Sequence, residues 1–166
     1  GSFVLTKPAP PYRNLQTGET EGYVSFIYIP YNECLDCYRP DMHKHVLQRR
    51  FAINPVSEDF YDYNSTVGRQ YAQKYNLTAI PTILVSPEAG MYPDFMQAWK
   101  QLGTHEADGW FVFRNFENFR VVNYMNLSTG QIVWAPEGNL TNNTQIISVP
   151  IGQNASIPLN LTFNVT

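Results

Sequence analysis

Both cysteines of the chain stand three apart, in Cys34-Leu35-Asp36-Cys37, shortly after the run Tyr23-Val-Ser-Phe-Ile-Tyr-Ile. That run is β-branched and aromatic, long enough for one buried strand, and it stops at Pro30. Residues 34–50 read as a helix, with Pro40 in its early part, where proline is tolerated in the first turn or kinks the second. Two thiols at a strand-to-helix junction can close a small disulfide and open it again. A thiolate there would also sit near the partial positive charge of a helix N-terminus, which lowers its pKa and makes it a nucleophile.

The 166 residues, 43% hydrophobic and 14% aromatic, suffice for one folded domain that buries roughly 70% of its unfolded surface. The formal net charge is −3, and the basic residues gather nowhere beyond Arg49-Arg50. Nucleic acid and anionic membrane are therefore not expected as main partners. No apolar run approaches the roughly 20 residues needed to cross a bilayer. Gly1-Ser2 reads as a remnant of expression, and a signal or an anchor, if the natural protein has one, is expected to have been cut away.

Eight Asn-x-Ser/Thr triplets occur, at Asn64, Asn76, Asn126, Asn139, Asn142, Asn154, Asn160 and Asn164. Random placement of the same residues would give about two. The plain reading is an Asn/Thr-rich β surface without sugar; the functional one is an exposed face that accepts N-linked glycans. Residues 138–166 also lack any charge. The expected location is extracytoplasmic, as a secreted protein or the external domain of a membrane-anchored one, where a disulfide persists.

Residues 3–22, rich in proline and turn formers, read as an extended arm with a turn. Strands are expected at 51–56, 82–86 and 109–113, and helices at 65–75 and 93–102. Ser65 or Thr66 caps the first of these helices, and the expected inward stripe of the helix at 34–50 is Met42, Val46 and Leu47. The alternation of strands and helices predicts an α/β sheet with a parallel portion across residues 23–120. Residues 121–166 read as a β-rich extension packed on it. Within them, 121–127 and 131–134 flank a hairpin turn at Ser128-Thr-Gly130, and residues 157–165 alternate apolar and polar as a half-buried strand does. Tyr12-Arg-Asn-Leu-Gln-Thr-Gly-Glu and Tyr124-Met-Asn-Leu-Ser-Thr-Gly-Gln are expected to form two similar turns.

Strand, Cys-x-x-Cys, helix, strand, helix, then Ile80-Pro81-Thr82 entering another strand resembles the thioredoxin superfamily over about residues 23–86. The Ile-Pro-Thr step, 47 residues beyond the first cysteine, makes the combination more specific than the dithiol alone. The resemblance implies a thioredoxin-like mixed sheet flanked by helices, with a cis bond before Pro81 and its loop facing the dithiol. It implies that Cys34, the more exposed thiol, attacks a disulfide or is attacked by a thiol, and that Cys37 resolves the mixed disulfide. The backbone of Ile80 and Pro81 would pair with an extended substrate peptide, with Leu35 and Asp36 in contact with it. The activity implied is that of a thiol-disulfide oxidoreductase with no cofactor beyond the redox-active disulfide. Its partners would be protein thiols and disulfides, with a membrane redox partner as a candidate.

The chain departs from the family pattern at Glu33, where thioredoxins carry tryptophan, at Leu35-Asp36 between the cysteines, and at Tyr28 in place of a buried acid. Acids on both sides of Cys34 oppose the helix terminus in setting its pKa, so no strongly oxidising character is expected. Two other readings use the same residues. One is a non-catalytic thioredoxin-like binding module whose disulfide is structural. The other is a copper- or zinc-binding, metallochaperone-like site made of Cys34, Cys37 and His43. Apart from that set, His43 and His45 read as solvated helix residues and His105 as a loop residue. Trp110, Phe111, Phe113, Phe116 and Phe119 read most simply as core, with a substrate-binding surface as the alternative.

Overall fold

The computed structural model describes residues 9–116 and 122–135, all within one compact unit that runs to Pro136. A short hairpin, β1 (Tyr12–Arg13) and β2 (Thr20–Glu21), precedes β3 (Val24–Ile29). Then follow α1 (Met42–Phe51), β4 (Pro55–Phe60), α2 (Thr66–Lys74), β5 (Ala79–Ile80) and β6 (Thr82–Val85). A 3-10 turn (Pro87–Met91) leads to α3 (Phe95–Trp99), β7 (Gly103–His105) and β8 (Phe111–Phe113). A last hairpin joins β9 (Tyr124–Asn126) to β10 (Gln131–Val133). Five strands make one mixed sheet in the order β4-β3-β6-β8-β7, with β3 and β4 parallel and the other pairs antiparallel. The fold is α/β, as its sequence pattern predicts. Among the described residues, no helix is long and apolar enough to cross a membrane.

The sheet is covered on both faces, which is why β3 reads as a continuous apolar run rather than an alternation. Val24, Phe26 and Tyr28 point to the side of α1 and α3, where they join Leu47, Phe51, Phe95 and Trp99. Ile27 and Ile29 point the other way, to Tyr75, Leu77 and Ile80, with Tyr71 and Ala72 of α2 against them. Ser65 caps α2 as expected, its hydroxyl accepting from the Gly68 amide at 3.0 Å.

Several boundaries differ from the sequence reading, each for a local reason. The first helix starts at Met42, not Cys34. Pro40 has no amide to give and pushes Arg39 out of helical conformation, so the cysteines fall in turns ahead of the helix. Its buried stripe is His43, Leu47 and Phe51, while Met42 and Val46 stand about half exposed. The second strand runs Pro55–Phe60 instead of 51–56, because Phe51 and Ile53 are buried as the end of α1 and the loop after it. The helix expected over 93–102 shrinks to Phe95–Trp99, preceded by Asp94 in left-handed backbone at φ 64°. The residues after it form β7, so His105 lies in a strand, not a loop.

The two hairpins are the same device. In each, an asparagine side chain accepts two backbone amides, Gln16 and Thr17 for Asn14, Ser128 and Thr129 for Asn126. A glycine at positive φ closes each turn, Gly18 at 74° and Gly130 at 68°. The hairpin expected at 121–134 therefore forms, and β9 adds antiparallel to β5 to make a separate three-stranded sheet, β10-β9-β5. Phe119 and the alternating segment 157–165 lie outside the described residues.

Candidate functional site

The end of β3 delivers the chain into a double turn that carries both cysteines, with the Cys34 amide on Tyr31 O at 3.1 Å and the Cys37 amide on Cys34 O at 3.3 Å. The pair is closed as a disulfide with a Cα–Cα distance of 5.3 Å. The bond before Pro81 is cis. Cys34, Cys37 and Pro81 line one open groove of about 590 Å³, together with Tyr31, Leu35, Phe60 and Asp62.

Two features of the dithiol differ from what the family resemblance implies. Cys34 is not the exposed partner, since the two residues are 8% and 9% exposed. Nor does a helix start at Cys34, so the helix-terminus argument for a depressed thiolate pKa does not apply there. Leu35 and Asp36 stand out in solvent between the cysteines, Leu35 at 93% exposure.

One wall is fixed by Tyr38. Its hydroxyl donates to the carbonyl of Pro81 at 2.7 Å, tying the proline loop to the residue after Cys37. Burial raises the Tyr38 pKa, so the phenol keeps the proton that makes this bond. That proton is spent on Pro81, so His43, with Nε2 3.4 Å from the phenol oxygen, must donate to it from Nε2–H. The His43 ring packs 4.4 Å from that of Phe113, and burial pushes its pKa down to about 4. His43 is thus a buried neutral residue and not a solvated one. His45 is exposed. Among the described residues, no three His, Cys, Asp or Glu side chains are grouped to hold a metal ion, so Cys34, Cys37 and His43 do not converge as a ligand set.

The other wall is the end of β4. Phe60, 55% exposed, is braced by stacking on Tyr28 with ring centroids 4.5 Å apart. Burial, then the hydrogen bond to Glu58, raises the pKa of Tyr28, which remains a phenol. Asp62 accepts from the amides of Asn32 and Asn64 at 2.8 and 2.9 Å, which pins the loop after β3 to the loop after β4.

The backbone beside Ile80, expected to receive a substrate peptide, is occupied. Ala79 faces Asn126 and Ile80 faces Met125 across an antiparallel pair, and Ile80 is fully buried. Asn123 reaches further, accepting from the Tyr38 amide at 3.0 Å and donating from its side chain to Asp36 O at 2.9 Å. Asn123, Tyr38, Phe60 and Asp62 were not apparent as site residues from sequence. Tyr38 adjoins Cys37 and could have been suspected, whereas Asn123 lies 87 residues from Asp36 and has no local signature.

Of the three sequons in the described residues, Asn76 is exposed while Asn64 and Asn126 are half-buried. Asn76 has φ 46°, and its carbonyl accepts from Arg114 at 3.2 Å. Asn139, Asn142, Asn154, Asn160 and Asn164 lie outside the described residues. A second hollow, about 440 Å³, is bordered by Gly103, Arg114, Tyr124 and Asn126. Of its two cations, Lys100 and Arg114, the second is already engaged, since the Arg114 guanidinium bonds Tyr75 O, Thr104 Oγ1 and Glu106.

No family model matches this chain, and neither does a curated protein or a solved structure.

Proposed function

We propose that the chain is a thioredoxin-like thiol-disulfide exchange domain acting on proteins outside the cytoplasm. The observation that carries this reading is the Cys34–Cys37 disulfide at the C-terminal end of β3, lining an open groove together with Pro81. In the oxidised state a substrate thiolate attacks the Cys34 sulfur. The bond to Cys37 breaks and its electron pair leaves on Cys37 as thiolate. A second substrate thiolate then attacks its partner sulfur in the mixed disulfide and expels Cys34. The substrate loses two electrons, the protein pair gains them, and the two thiol protons pass to solvent or to the new thiolates. In the reverse direction the Cys34 thiolate attacks a substrate disulfide and Cys37 then attacks the Cys34 sulfur and expels the substrate thiolate, a step made intramolecular by the turn that holds both sulfurs. The eight sequons support a location outside the cytoplasm.

A second reading, a binding module with a permanent structural disulfide, is favoured by the near-equal burial of the cysteines and by the filled edge at Ile80. One titration separates the two. The chain is equilibrated in glutathione or dithiothreitol buffers, and its thiols are trapped with a maleimide and counted by mass. Exchange predicts a midpoint within the glutathione range, roughly −180 to −260 mV, while a midpoint below about −300 mV marks a structural bond.

A further inference from the structure

We infer that residues 123–127 are a resident strand seated where an extended substrate would lie, so that the disulfide exchanges preferentially with a cysteine carried on a basic, apolar loop. This rests on the exchange reading and adds its substrate class. The backbone of Asp36, Tyr38, Thr78 and Ile80 is taken. Asn123 binds both Asp36 O and the Tyr38 amide, Met125 pairs with Ile80, and the Leu127 amide reaches Thr78 O at 2.8 Å. The Asn123 side chain also accepts from the Ala135 amide at 2.7 Å, which anchors the second strand of the hairpin. The hairpin contains no cysteine, so it occupies the edge without reacting.

The opposite wall is the end of β4, the edge strand of the five-stranded sheet, and the segment that follows it is tied inward. The amides of Tyr61 and Tyr63 are spent on Tyr28 O and Pro30 O, and that of Asn32 on Asp62. A peptide approaching over that segment finds these amides taken, which suits a protruding loop and not an added strand. At the mouth stand Leu35, 93% exposed, and Phe60, 55% exposed, two large apolar side chains of the kind that a protein partner covers. Around them Glu33, Asp36 and Asp62 take part in no ion pair among the described residues, whereas Arg39 is engaged with Asp41. The surplus is negative, and a cationic partner is drawn to it.

The test uses the full chain, reduced, and head-to-tail cyclic octapeptides whose single cysteine is capped as an S-methyl disulfide. In each turnover the Cys34 thiolate displaces methanethiolate from the peptide sulfur, and Cys37 then closes on Cys34 and frees the peptide thiolate. At low ionic strength, a peptide with Leu and Lys beside its cysteine should react at least tenfold faster than one with Ser and Glu. It should also outpace its own linear form at least fivefold. Asn123→Ala, which removes the side-chain bonds to Asp36 O and the Ala135 amide and so loosens the resident strand, should raise the rate of the linear form at least fivefold. Leu35→Ser, at a solvent-exposed position that cannot unfold the chain, should slow the cyclic Leu/Lys peptide at least fivefold. Equal rates for the two cyclic peptides, or a linear form as fast as its cyclic counterpart in the unaltered chain, overturn the inference. Reduction of hydroxyethyl disulfide in the same assay then shows the exchange reading intact. If that small disulfide is not reduced either, the exchange reading falls and the substrate class with it.

Discussion

Acidification should strip stability from this fold through a single imidazole. His43 is 8% exposed, lies against Phe113 and donates to Tyr38, and burial moves its pKa from 6.5 to about 4. The folded state therefore holds the ring neutral at pH values where the unfolded chain already binds a proton. Stability from this group is fully present above about pH 6.5 and drains away as pH falls to about 4, where both states are protonated. The gap of about 2.5 pH units, at about 1.4 kcal/mol per unit, makes roughly 3 kcal/mol. For a chain of 166 residues this corresponds to a fall in Tm of roughly 6–12 °C. Carboxylates held below their usual range by hydrogen bonds, such as Asp108 beside Lys74, lose their contribution only at lower pH, so the interval from pH 6.5 to 4.5 reports chiefly on histidine. Calorimetry of the unaltered chain and of His43→Phe across that interval isolates the effect, because the variant cannot titrate there whatever its absolute stability. Parallel Tm curves for the two proteins would refute the claim that His43 is kept neutral by burial.

Two further perturbations test how the site is held in place. Ser65→Ala removes the hydroxyl that caps α2 through the Gly68 amide and should cost about 1 kcal/mol in denaturant unfolding; an unchanged midpoint would mean the cap contributes nothing. Gly103→Ala places a methyl group against the backbone carbonyl of Val112 in the neighbouring strand, a contact that only a shift of β7 relieves. A loss of roughly 3 kcal/mol is expected, and a variant as stable as the parent would show that the edge strand yields freely.

What was legible in sequence was local. The period and composition of residues 23–29 placed β3 within a residue of its observed ends, because a doubly covered strand must be apolar throughout. Asn-Leu-Gln-Thr-Gly and Asn-Leu-Ser-Thr-Gly announced the same turn twice, since an asparagine that bonds amides two and three residues on and a glycine at positive φ need nothing from the rest of the fold. Ser65 was recognisable as a cap for the same reason. Misplacements arose where a local preference met a covalent limit. Pro40 moved the start of α1 from Cys34 to Met42, and a helix phase one residue off exchanged Met42 and Val46 for His43 as the inward face.

Residues within one or two turns of one another suffice to fix the α/β pattern, the position of the dithiol after β3 and the shapes of both hairpins. Tertiary structure alone decided that His43 is buried, that the two cysteines are covered alike, and that β9 lies along β5. These outcomes depend on which surfaces meet across the chain, as Ile80 meets Met125 and Asp36 meets Asn123. Such pairings are selected by the free energy of packing the whole molecule, to which no short stretch of residues holds the key.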